Sequence, residues 1–246
     1  MLKIAIFGAS SAIAYETAKH FAAKKCELML LGRDVAKVES IKDDLIARSD
    51  TKIQTMHFDA SNIKSFEGIL SSIITEMGGL DMVLIAYGDL PDHLFLQSHP
   101  DEICNSFNTN ALSVIKLATV VTNYFEEKQA GTIAVISSVA GDRGRQSNYY
   151  YGAAKAAVST FLQGLRNRLS KSGIKVITIK PGMVDTPMTE AIPKSILFAS
   201  ASSVGKGIYE AMMNGSVDVV YLPGYWRLIM FIIKHIPEKI FKNLKL

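Results

Sequence analysis

Short apolar runs alternate with longer amphipathic stretches along the first 180 residues of the chain. Runs rich in Ile, Val and Leu are typical of strands buried on both faces, whereas apolar residues three and four positions apart indicate helices. The predicted strands are 3–7, 27–31, 52–58, 82–86, 131–136 and 175–180, and the predicted helices are 14–24, 35–48, 63–77, 105–125 and one that ends at 169. This alternation predicts an α/β fold in which one doubly wound parallel sheet carries helices on both faces.

Composition limits the classes of function. The 246 residues are 48% hydrophobic and 20% charged, which is typical of a single globular domain with a sizeable core. The net charge of +4 comes without a long Lys/Arg block, so nucleic-acid binding is not expected. Cys26 and Cys104 lack CxxC spacing and the five histidines lack paired spacing, so neither a disulfide framework nor a metal site is predicted. The chain starts directly with a strand and shows no signal-type segment, and a cytoplasmic location is therefore expected.

Small and charged residues follow the ends of the predicted strands. Residues 8–14, Gly-Ala-Ser-Ser-Ala-Ile-Ala, link the first strand to the first helix, and the backbone N–H groups of such a turn can hold a dinucleotide pyrophosphate. Ala12 and Ala14 replace two glycines of the G-x-x-x-G-x-G pattern, so a purely structural turn fits nearly as well. In a parallel sheet the ligand crevice lies at the carboxyl ends of the strands. The residues that follow strand ends are Gly8, Arg33, Asp59, Gly88, Ser138 and Pro181–Gly182.

Arg33 bears on the choice of cofactor. Dinucleotide-binding folds that use NAD place an acid after the second strand, whereas an arginine accommodates the 2′-phosphate of NADP. Arg33 stands at this position, with Ser10 as a second potential donor, so NADP(H) is favoured over NAD(H). Asp34 is expected to point away or to cap the next helix, and Asp59 could contact the adenine edge, cap a helix, or do both.

Tyr151 and Lys155 are four residues apart at the start of a predicted helix, so their side chains share one helical face. A phenol with a pKa of about 10 is a poor acid/base near neutrality, and a nearby ammonium group would lower that pKa and make Tyr151 a general acid/base. The spacing alone also fits an aromatic helix start with a solvated lysine. Asn110 is a poor residue for the interior of helix 105–125, which indicates either a function or a buried, hydrogen-bonded amide.

Together these motifs resemble the short-chain dehydrogenase/reductase family in order and spacing, over residues 3–190. The motifs are 8–14, Ala86-Tyr87-Gly88, Asn110, Ser138, Tyr151-x-x-x-Lys155 and Pro181–Gly182. The resemblance implies a Rossmann-type fold and an NADP(H)-dependent oxidoreductase that transfers a hydride between nicotinamide and a carbonyl or secondary alcohol. The sequence departs from the family pattern at Ala12, Ala14, Tyr87 and Ala154, and none of these changes removes a catalytic group.

The resemblance assigns roles to four catalytic residues. Tyr151 would be the acid/base, Ser138 would hold the substrate oxygen, Lys155 would bind the nicotinamide ribose and lower the Tyr151 pKa, and Asn110 would support a proton-relay water. The cofactor-binding residues that the resemblance implies are Gly8, Ser10, Ser11, Ile13, Arg33, Asp59, Ala60, Ala86, Tyr87, Gly88, Tyr151, Lys155, Pro181, Gly182, Val184 and Thr186. It also implies a homodimer or homotetramer formed through the helices of Asn110 and Tyr151.

Residues 1–222 are expected to form the dinucleotide-binding domain, with a mobile substrate lid at about 185–204. Apolar residues of this lid (Met188, Ile192 and Ile196) indicate a partly hydrophobic substrate. Residues 223–246 form an apolar and basic tail that is too short to span a bilayer, and it would lie either on an anionic membrane surface or against the protein.

Three stretches are similar to reductases of decaprenylphosphoryl keto-sugars: residues 86–92, the run 141–149 with Arg143 and Arg145, and the tail. This narrower resemblance implies a lipid-phosphate-linked carbonyl substrate, with Arg143 and Arg145 at the rim of the site. It also implies peripheral contact with the inner face of the membrane through residues 225–246.

Two other classes of function use the same residues. An NADP-binding regulatory protein without turnover would keep the fold, although it would have no need of the complete set of Asn110, Ser138, Tyr151 and Lys155. A serine hydrolase built on Ser138 would need a G-x-S-x-G turn and a positioned histidine, and the sequence supports neither. Oxidation of the cofactor in the presence of small carbonyl compounds separates an enzyme from a regulator.

Overall fold

The computed structural model describes residues 1–244. One seven-stranded sheet forms the centre of the molecule. Its strands are β1 (Lys3–Phe7), β2 (Glu27–Gly32), β3 (Ile53–His57), β4 (Met82–Ile85), β5 (Gly131–Ile136), β6 (Ile174–Pro181) and β9 (Val219–Leu222). The strand order is β3-β2-β1-β4-β5-β6-β9, and every neighbouring pair is parallel. The short strands β7 (Val184–Asp185) and β8 (Ala199–Ser200) form a separate parallel pair.

Helices follow the strands along the chain. They are α1 (Ala12–Ala23), α2 (Val35–Arg48), α3 (Phe66–Met77), α4 (His93–Ser98), α5 (Ile103–Phe107), α6 (Ser113–Lys128), α7 (Tyr149–Leu169), α8 (Ala201–Asn214), α9 (Trp226–His235) and α10 (Glu238–Phe241). None of these helices, which lie within residues 1–244, is long and apolar enough to cross a bilayer. The predicted α/β fold with a doubly wound parallel sheet is confirmed.

Alternate residues of the strands pack into two hydrophobic cores, one on each face of the sheet. In β1, Ala5 and Phe7 face the core that includes α3, α6 and α7, while Ile4 and Ile6 face the core that includes α1, α2 and α8. Both faces of each central strand are therefore buried, and this burial is the reason that the strands appear in the sequence as continuous apolar runs.

The helices α4 and α8 and the strand β9 are not among the predicted elements, and two of the predicted regions differ in the structure. The predicted helix 105–125 is interrupted by a π-helical turn, Asn108–Leu112, which joins α5 to α6. Residues 201–204 form the first turn of α8, where Val204 is buried, whereas the sequence pattern groups them with the lid. Close packing explains the second difference, because a Cβ on Gly205 would lie 2.6 Å from the Glu16 Cβ of α1.

Candidate active site

Two glycines bring the Ser138 turn close to helix α7. A Cβ on Gly141 would lie 2.6 Å from the Lys155 carbonyl carbon, and a Cβ on Gly152 would lie 2.9 Å from the Ala140 oxygen. Ser137 strengthens the contact, because its hydroxyl donates to the Lys155 carbonyl at 3.0 Å and shares a hydrogen bond with Ser159 at 2.8 Å. The start of α7 is therefore fixed against the carboxyl end of β5.

This contact places Ser138, Tyr151 and Lys155 together. The Ser138 hydroxyl is close enough to the Tyr151 phenol to act on its pKa, and the Lys155 Nζ lies 5.6 Å from the centre of the Tyr151 ring. The Lys155 ammonium donates to the Ile136 carbonyl at 3.2 Å, and the Lys155 residue is only 3% exposed. A hydroxyl, a phenol and an ammonium group thus meet at one edge of the sheet, as the spacing of the motifs predicts.

Asn110 lies in the π-helical turn and is fully buried. Its Oδ1 accepts from the Asp89 backbone N–H at 3.1 Å, and its Nδ2 donates to the Asp89 carboxylate. A Cβ on Gly88 would lie 2.8 Å from the Asn110 Oδ1 and 3.4 Å from the Lys155 Nζ, so the three residues are neighbours. The wider helical turn accommodates an amide that a regular α-helix disfavours, and π-turns occur frequently at functional sites.

Burial dominates the protonation of the two central groups. The pKa of Tyr151 is raised to about 12, because desolvation by burial outweighs the opposing effect of the nearby Ser138 hydroxyl. The pKa of Lys155 is lowered to about 8 by burial, although the nearby Asp89 carboxylate acts in the other direction. The Tyr-x-x-x-Lys spacing predicts a lowered Tyr151 pKa, whereas the structure raises it. The spacing carries no information about solvent access, and burial decides the shift.

We expect Lys155 to make the stability of the protein depend on pH. Between pH 8 and about 10 the unfolded chain keeps a lysine proton that the folded protein has released, so the free energy of unfolding should rise with pH by at most about 1.4 kcal/mol per unit. Urea unfolding of the wild type and of Lys155→Met across this range measures the effect. The difference between the two proteins should change steadily with pH, and a constant difference would contradict the assignment.

The turn after β1 has the chemistry of an anion site. Gly8 has a φ of 84°, and a Cβ at this residue would lie 2.7 Å from the Tyr87 backbone nitrogen. Ser11 precedes α1 but its side chain makes no capping hydrogen bond, so the first N–H groups of this helix have no side-chain acceptor within residues 1–244. A helix N-terminus with free donors beside a tight glycine turn fits a dinucleotide pyrophosphate.

Arg33 and Asp59 lie together at the ends of β2 and β3. Arg33 is exposed and makes no side-chain hydrogen bond or ion pair with the residues that the structure describes. Asp59 accepts hydrogen bonds from Ser61 (2.9 Å from the backbone N–H), and these, more than the nearby Arg33 charge, lower its pKa. Asp34 caps α2 by accepting from the Lys37 N–H at 3.1 Å. The free guanidinium and the N–H groups of the turn are a donor set that fits a dinucleotide with a further phosphate.

Each of the other residues that the resemblance associates with the cofactor lies near the carboxyl end of a strand or in the first turns of the following helix. They are Ser10 and Ile13 after β1, Ala60 after β3, Ala86 and Tyr87 after β4, and Pro181, Gly182, Val184 and Thr186 at or after the end of β6. Tyr87 can face this edge only through its backbone, because its phenol accepts from the Ser113 hydroxyl at 3.2 Å and its ring packs against Phe58.

A buried charged cluster lies beside the site, and none of the sequence motifs predicts it. The Lys180 ammonium in β6 pairs with the Asp142 carboxylate, and the side chains of Lys180 and Asp142 are only 7% and 2% exposed. The Tyr221 hydroxyl also donates to Asp142, at 2.7 Å. Asp142 follows Ser138 by four residues, so the pair fixes the loop that leads to Tyr151. A charged residue at the end of an apolar strand is the only sign of this cluster in the sequence.

Arg143 contacts the C-terminal segment and not the rim of the site. Its guanidinium donates to the carbonyls of Ile233 and Ile236, both at 2.6 Å, and pairs with Glu238 at 2.9 Å. The guanidinium carbon also lies 3.6 Å from the centre of the Phe241 ring. The predicted role of Arg143 in meeting a sugar or phosphate is therefore replaced by a structural one, which links the loop before Tyr151 to the tail.

Trp226 brings the tail close to the predicted cofactor site. Its indole is buried, and a Cβ on Gly182 would overlap this ring, at 1.9 Å from the Nε1 atom. Trp226 and Met230 pack with Val139, which follows Ser138 directly. The tail thus closes one side of the site, a contact that local sequence patterns do not predict.

The chain is similar to proteins described as oxidoreductases. It is 29% identical over 240 residues to an uncharacterized oxidoreductase of Streptomyces coelicolor, a match that covers 97% of this chain and 94% of the relative. It is 27% identical over 241 residues to an uncharacterized oxidoreductase of Mycobacterium tuberculosis, covering 98% and 96% of the two chains. Neither description mentions a lipid-linked sugar, so the narrower resemblance is not confirmed.

Solved structures share the fold. A short-chain dehydrogenase from Sphingobium yanoikuyae in complex with NADPH superposes with a TM-score of 0.81 at 22% identity, and the match covers 97% of each chain. Actinorhodin polyketide ketoreductase with NADPH superposes with a TM-score of 0.80 at 19% identity, covering 91% of this chain and 96% of that one. The family model described as short chain dehydrogenase matches residues 3–196. The chain therefore belongs to the short-chain dehydrogenase family of NAD(P)-dependent oxidoreductases.

Proposed function

We propose that the protein transfers a hydride between NADP(H) and a carbonyl or secondary alcohol, with Tyr151 as the general acid/base. The observation that carries this proposal is the meeting of Ser138, Tyr151 and Lys155 at the carboxyl edge of the sheet, with Asn110 buried beside them. A protein that only sensed the cofactor would not need a hydroxyl and a phenol beside one another next to a buried ammonium group.

Each of the four site residues has its own role in the proposed reaction. The bound nicotinamide supplies or accepts the hydride. In the reductive direction the Tyr151 hydroxyl protonates the substrate oxygen while the Ser138 hydroxyl donates a hydrogen bond to the developing alkoxide. The Lys155 ammonium would favour the tyrosinate that remains and would hold the nicotinamide ribose, and the Asn110 amide, held by Asp89, would support return of the proton to Tyr151.

Turnover with a panel of small carbonyl compounds tests the proposal. NADPH oxidation should depend on the carbonyl substrate and should reverse with NADP⁺ and the matching alcohol. Tight binding of NADPH without turnover of any ketone, aldehyde or keto-sugar would instead support a regulatory protein.

We propose that Arg33 selects NADPH over NADH. Its exposed guanidinium follows the end of β2, where dinucleotide-binding folds would hold the 2′-phosphate, and it has no partner within residues 1–244. Hydrogen bonds to charged groups contribute about 1.5–3 kcal/mol, so Arg33→Ala should weaken NADPH binding by roughly 10- to 100-fold and leave NADH binding nearly unchanged. Fluorescence titration of both cofactors measures this preference.

Arg168→Ala is the matched control for Arg33→Ala. Arg168 is also exposed but lies at the far end of α7, roughly 25 Å along the helix from Tyr151. The control should bind both cofactors as the wild type does. Equal losses for NADPH and NADH in Arg33→Ala would contradict a role in recognising the 2′-phosphate.

For the substrate we propose a lipid-phosphate-linked keto-sugar. The support is the apolar character of the proposed lid, which the start of α8 limits to 185–200 and in which Ile196 is 97% exposed and Met188 is 48% exposed. Arg145 adds a cationic group, since it follows the Ser138 turn and its Nε is buried without a partner among residues 1–244. The kcat/KM for a polyprenyl-phosphate-linked keto-sugar should exceed that for the free keto-sugar, and equal values would reject this substrate class.

The assembly and the division of the chain are further proposals. Residues 1–222 would form the catalytic unit, residues 223–246 a separate tail, and α6 and α7 the interface of a homodimer or homotetramer. Residues 245 and 246 lie outside the described part of the chain. Light scattering of the purified protein tests the oligomeric state.

A further inference from the structure

The C-terminal segment has one apolar face against the protein and another against solvent. Trp226 and Met230 are 3% and 0% exposed, whereas Leu228, Phe231 and Ile232 on the same helix are 65%, 62% and 56% exposed. Ile240 in α10 is also more than half exposed. Only one side of α9 packs against the core. This packing therefore does not explain the apolar side chains on the side that faces solvent.

The net charge of the protein lies entirely in this segment. The first 224 residues contain 22 basic and 22 acidic residues, while the last 22 contain five basic and one acidic. The single acid, Glu238, is paired with Arg143. The cations on the described part of the segment are exposed and have no carboxylate partner within residues 1–244; they are Arg227, Lys234, Lys239 and Lys242.

Cations and apolar groups alternate around one groove. The groove has a volume of about 460 Å³ and is lined by Tyr221, Gly224, Arg227, Leu228, Phe231, Lys234 and His235. A basic rim around exposed Leu and Phe side chains is complementary to a bilayer surface, which offers anionic headgroups above an apolar interior. A soluble protein partner would have to offer carboxylates and an apolar surface together, whereas an anionic bilayer offers both over any area.

The segment is held in a fixed orientation relative to the site. Arg143 binds the carbonyls at the end of α9, and the Tyr225 hydroxyl donates to the Leu197 carbonyl of the proposed lid at 3.0 Å. Leu197 follows Ile196, the almost fully exposed lid residue. The start of the tail and the proposed lid are therefore joined by a direct hydrogen bond.

We propose that residues 225–244 dock this protein on an anionic lipid bilayer, with the lid and the entrance to the active site turned toward the membrane. The outward side chains of α9 and α10 enter the interfacial region, and the four cations bind the headgroups. The proposal does not rest on the proposed reaction, because docking is measured without turnover.

Co-sedimentation with vesicles tests the docking surface. The full-length protein should bind vesicles of phosphatidylglycerol and phosphatidylcholine at least 10-fold more tightly than vesicles of pure phosphatidylcholine, and added salt should weaken this binding. Lys234→Glu/Lys239→Glu should lose at least 10-fold in affinity for the anionic vesicles, since each cation contributes about 1 kcal/mol near the surface. Phe231→Ser/Ile232→Ser should lose a comparable amount on the same vesicles.

Matched variants elsewhere on the surface serve as controls. Lys64→Glu/Lys171→Glu reverses two exposed lysines outside the segment, and Ile46→Ser removes an apolar side chain that is 45% exposed. Both should bind vesicles as the wild type does. Unchanged NADPH binding and thermal unfolding show that the tail variants are folded.

Three outcomes would overturn the proposal. They are equal binding to neutral and anionic vesicles, equal losses in the control variants, and a tail surface that mediates self-association. In the last case light scattering would show that Phe231→Ser/Ile232→Ser dissociates an oligomer, while the wild type fails to sediment with any vesicle.

Discussion

Tyr151→Phe should lower kcat by about 100- to 10,000-fold and leave NADPH affinity nearly unchanged. This range is the usual contribution of a positioned acid/base, and the phenylalanine ring keeps the volume of the buried side chain. The proton that reaches the substrate oxygen then has no donor, because the neighbouring Ser138 hydroxyl can stabilise an alkoxide but is too weak an acid to protonate it. Steady-state kinetics with the best ketone of the panel and a fluorescence titration with NADPH measure the two effects.

Tyr149→Phe is the matched control for this variant. Tyr149 begins the same helix, but its side chain is exposed and its ring lies 4.3 Å from the Tyr150 ring at a tilt of 40°. It should retain full activity. A Tyr151→Phe enzyme that turns over at the wild-type rate would remove Tyr151 from the reaction, whereas a loss of NADPH binding would show that the phenol mainly shapes the cofactor site.

Asp142→Ala should destabilise the protein by about 3–5 kcal/mol. The substitution leaves the Lys180 ammonium buried without a counter-charge, and removal of one partner from a buried ion pair typically costs this much. It also leaves the Tyr221 hydroxyl without its acceptor. Urea unfolding followed by circular dichroism measures the loss in the free energy of unfolding.

Two further variants distinguish the cost of an unpaired buried charge from the cost of lost hydrogen bonds in the loop. Tyr221→Phe removes one hydrogen bond and should cost about 1 kcal/mol. Asp142→Leu/Lys180→Met removes both charges and should recover most of the stability that Asp142→Ala loses, because neither charge is then left unpaired. A loss below 1 kcal/mol in Asp142→Ala would show that Lys180 reaches solvent or another partner.

A residue that does not fit a regular helix pattern identified one part of this site. Asn110 conflicts with a regular helix, and the structure resolves the conflict with a π-turn and two hydrogen bonds to Asp89. The chain supplies no local signal for that partner, because Asp89 lies 21 residues earlier. The sequence could therefore identify the unusual residue but not the contact that accommodates it.

Arg143 shows how a charged loop residue can be misassigned. Its position between Ser138 and Tyr151 suggested a ligand contact, whereas its partners lie about 90 residues later, in α9 and α10. Tyr87 keeps its predicted place after β4, but its phenol turns into the core toward Ser113, so only its backbone is left for the predicted cofactor contact. Side-chain direction depends on neighbours that are distant in sequence.

The sequence by itself determined the order of strands and helices, the parallel doubly wound sheet and the convergence of Ser138, Tyr151 and Lys155 at one edge. These features follow from local periodicity and from the geometry of parallel strands, which places their carboxyl ends together. Only the tertiary structure decided the protonation of Tyr151, the pairing of Lys180 with Asp142 and the attachment of the tail through Arg143. Those properties depend on burial and on contacts between distant segments, because the free energy of a charged group is set by its solvent access and its partners and not by its position along the chain.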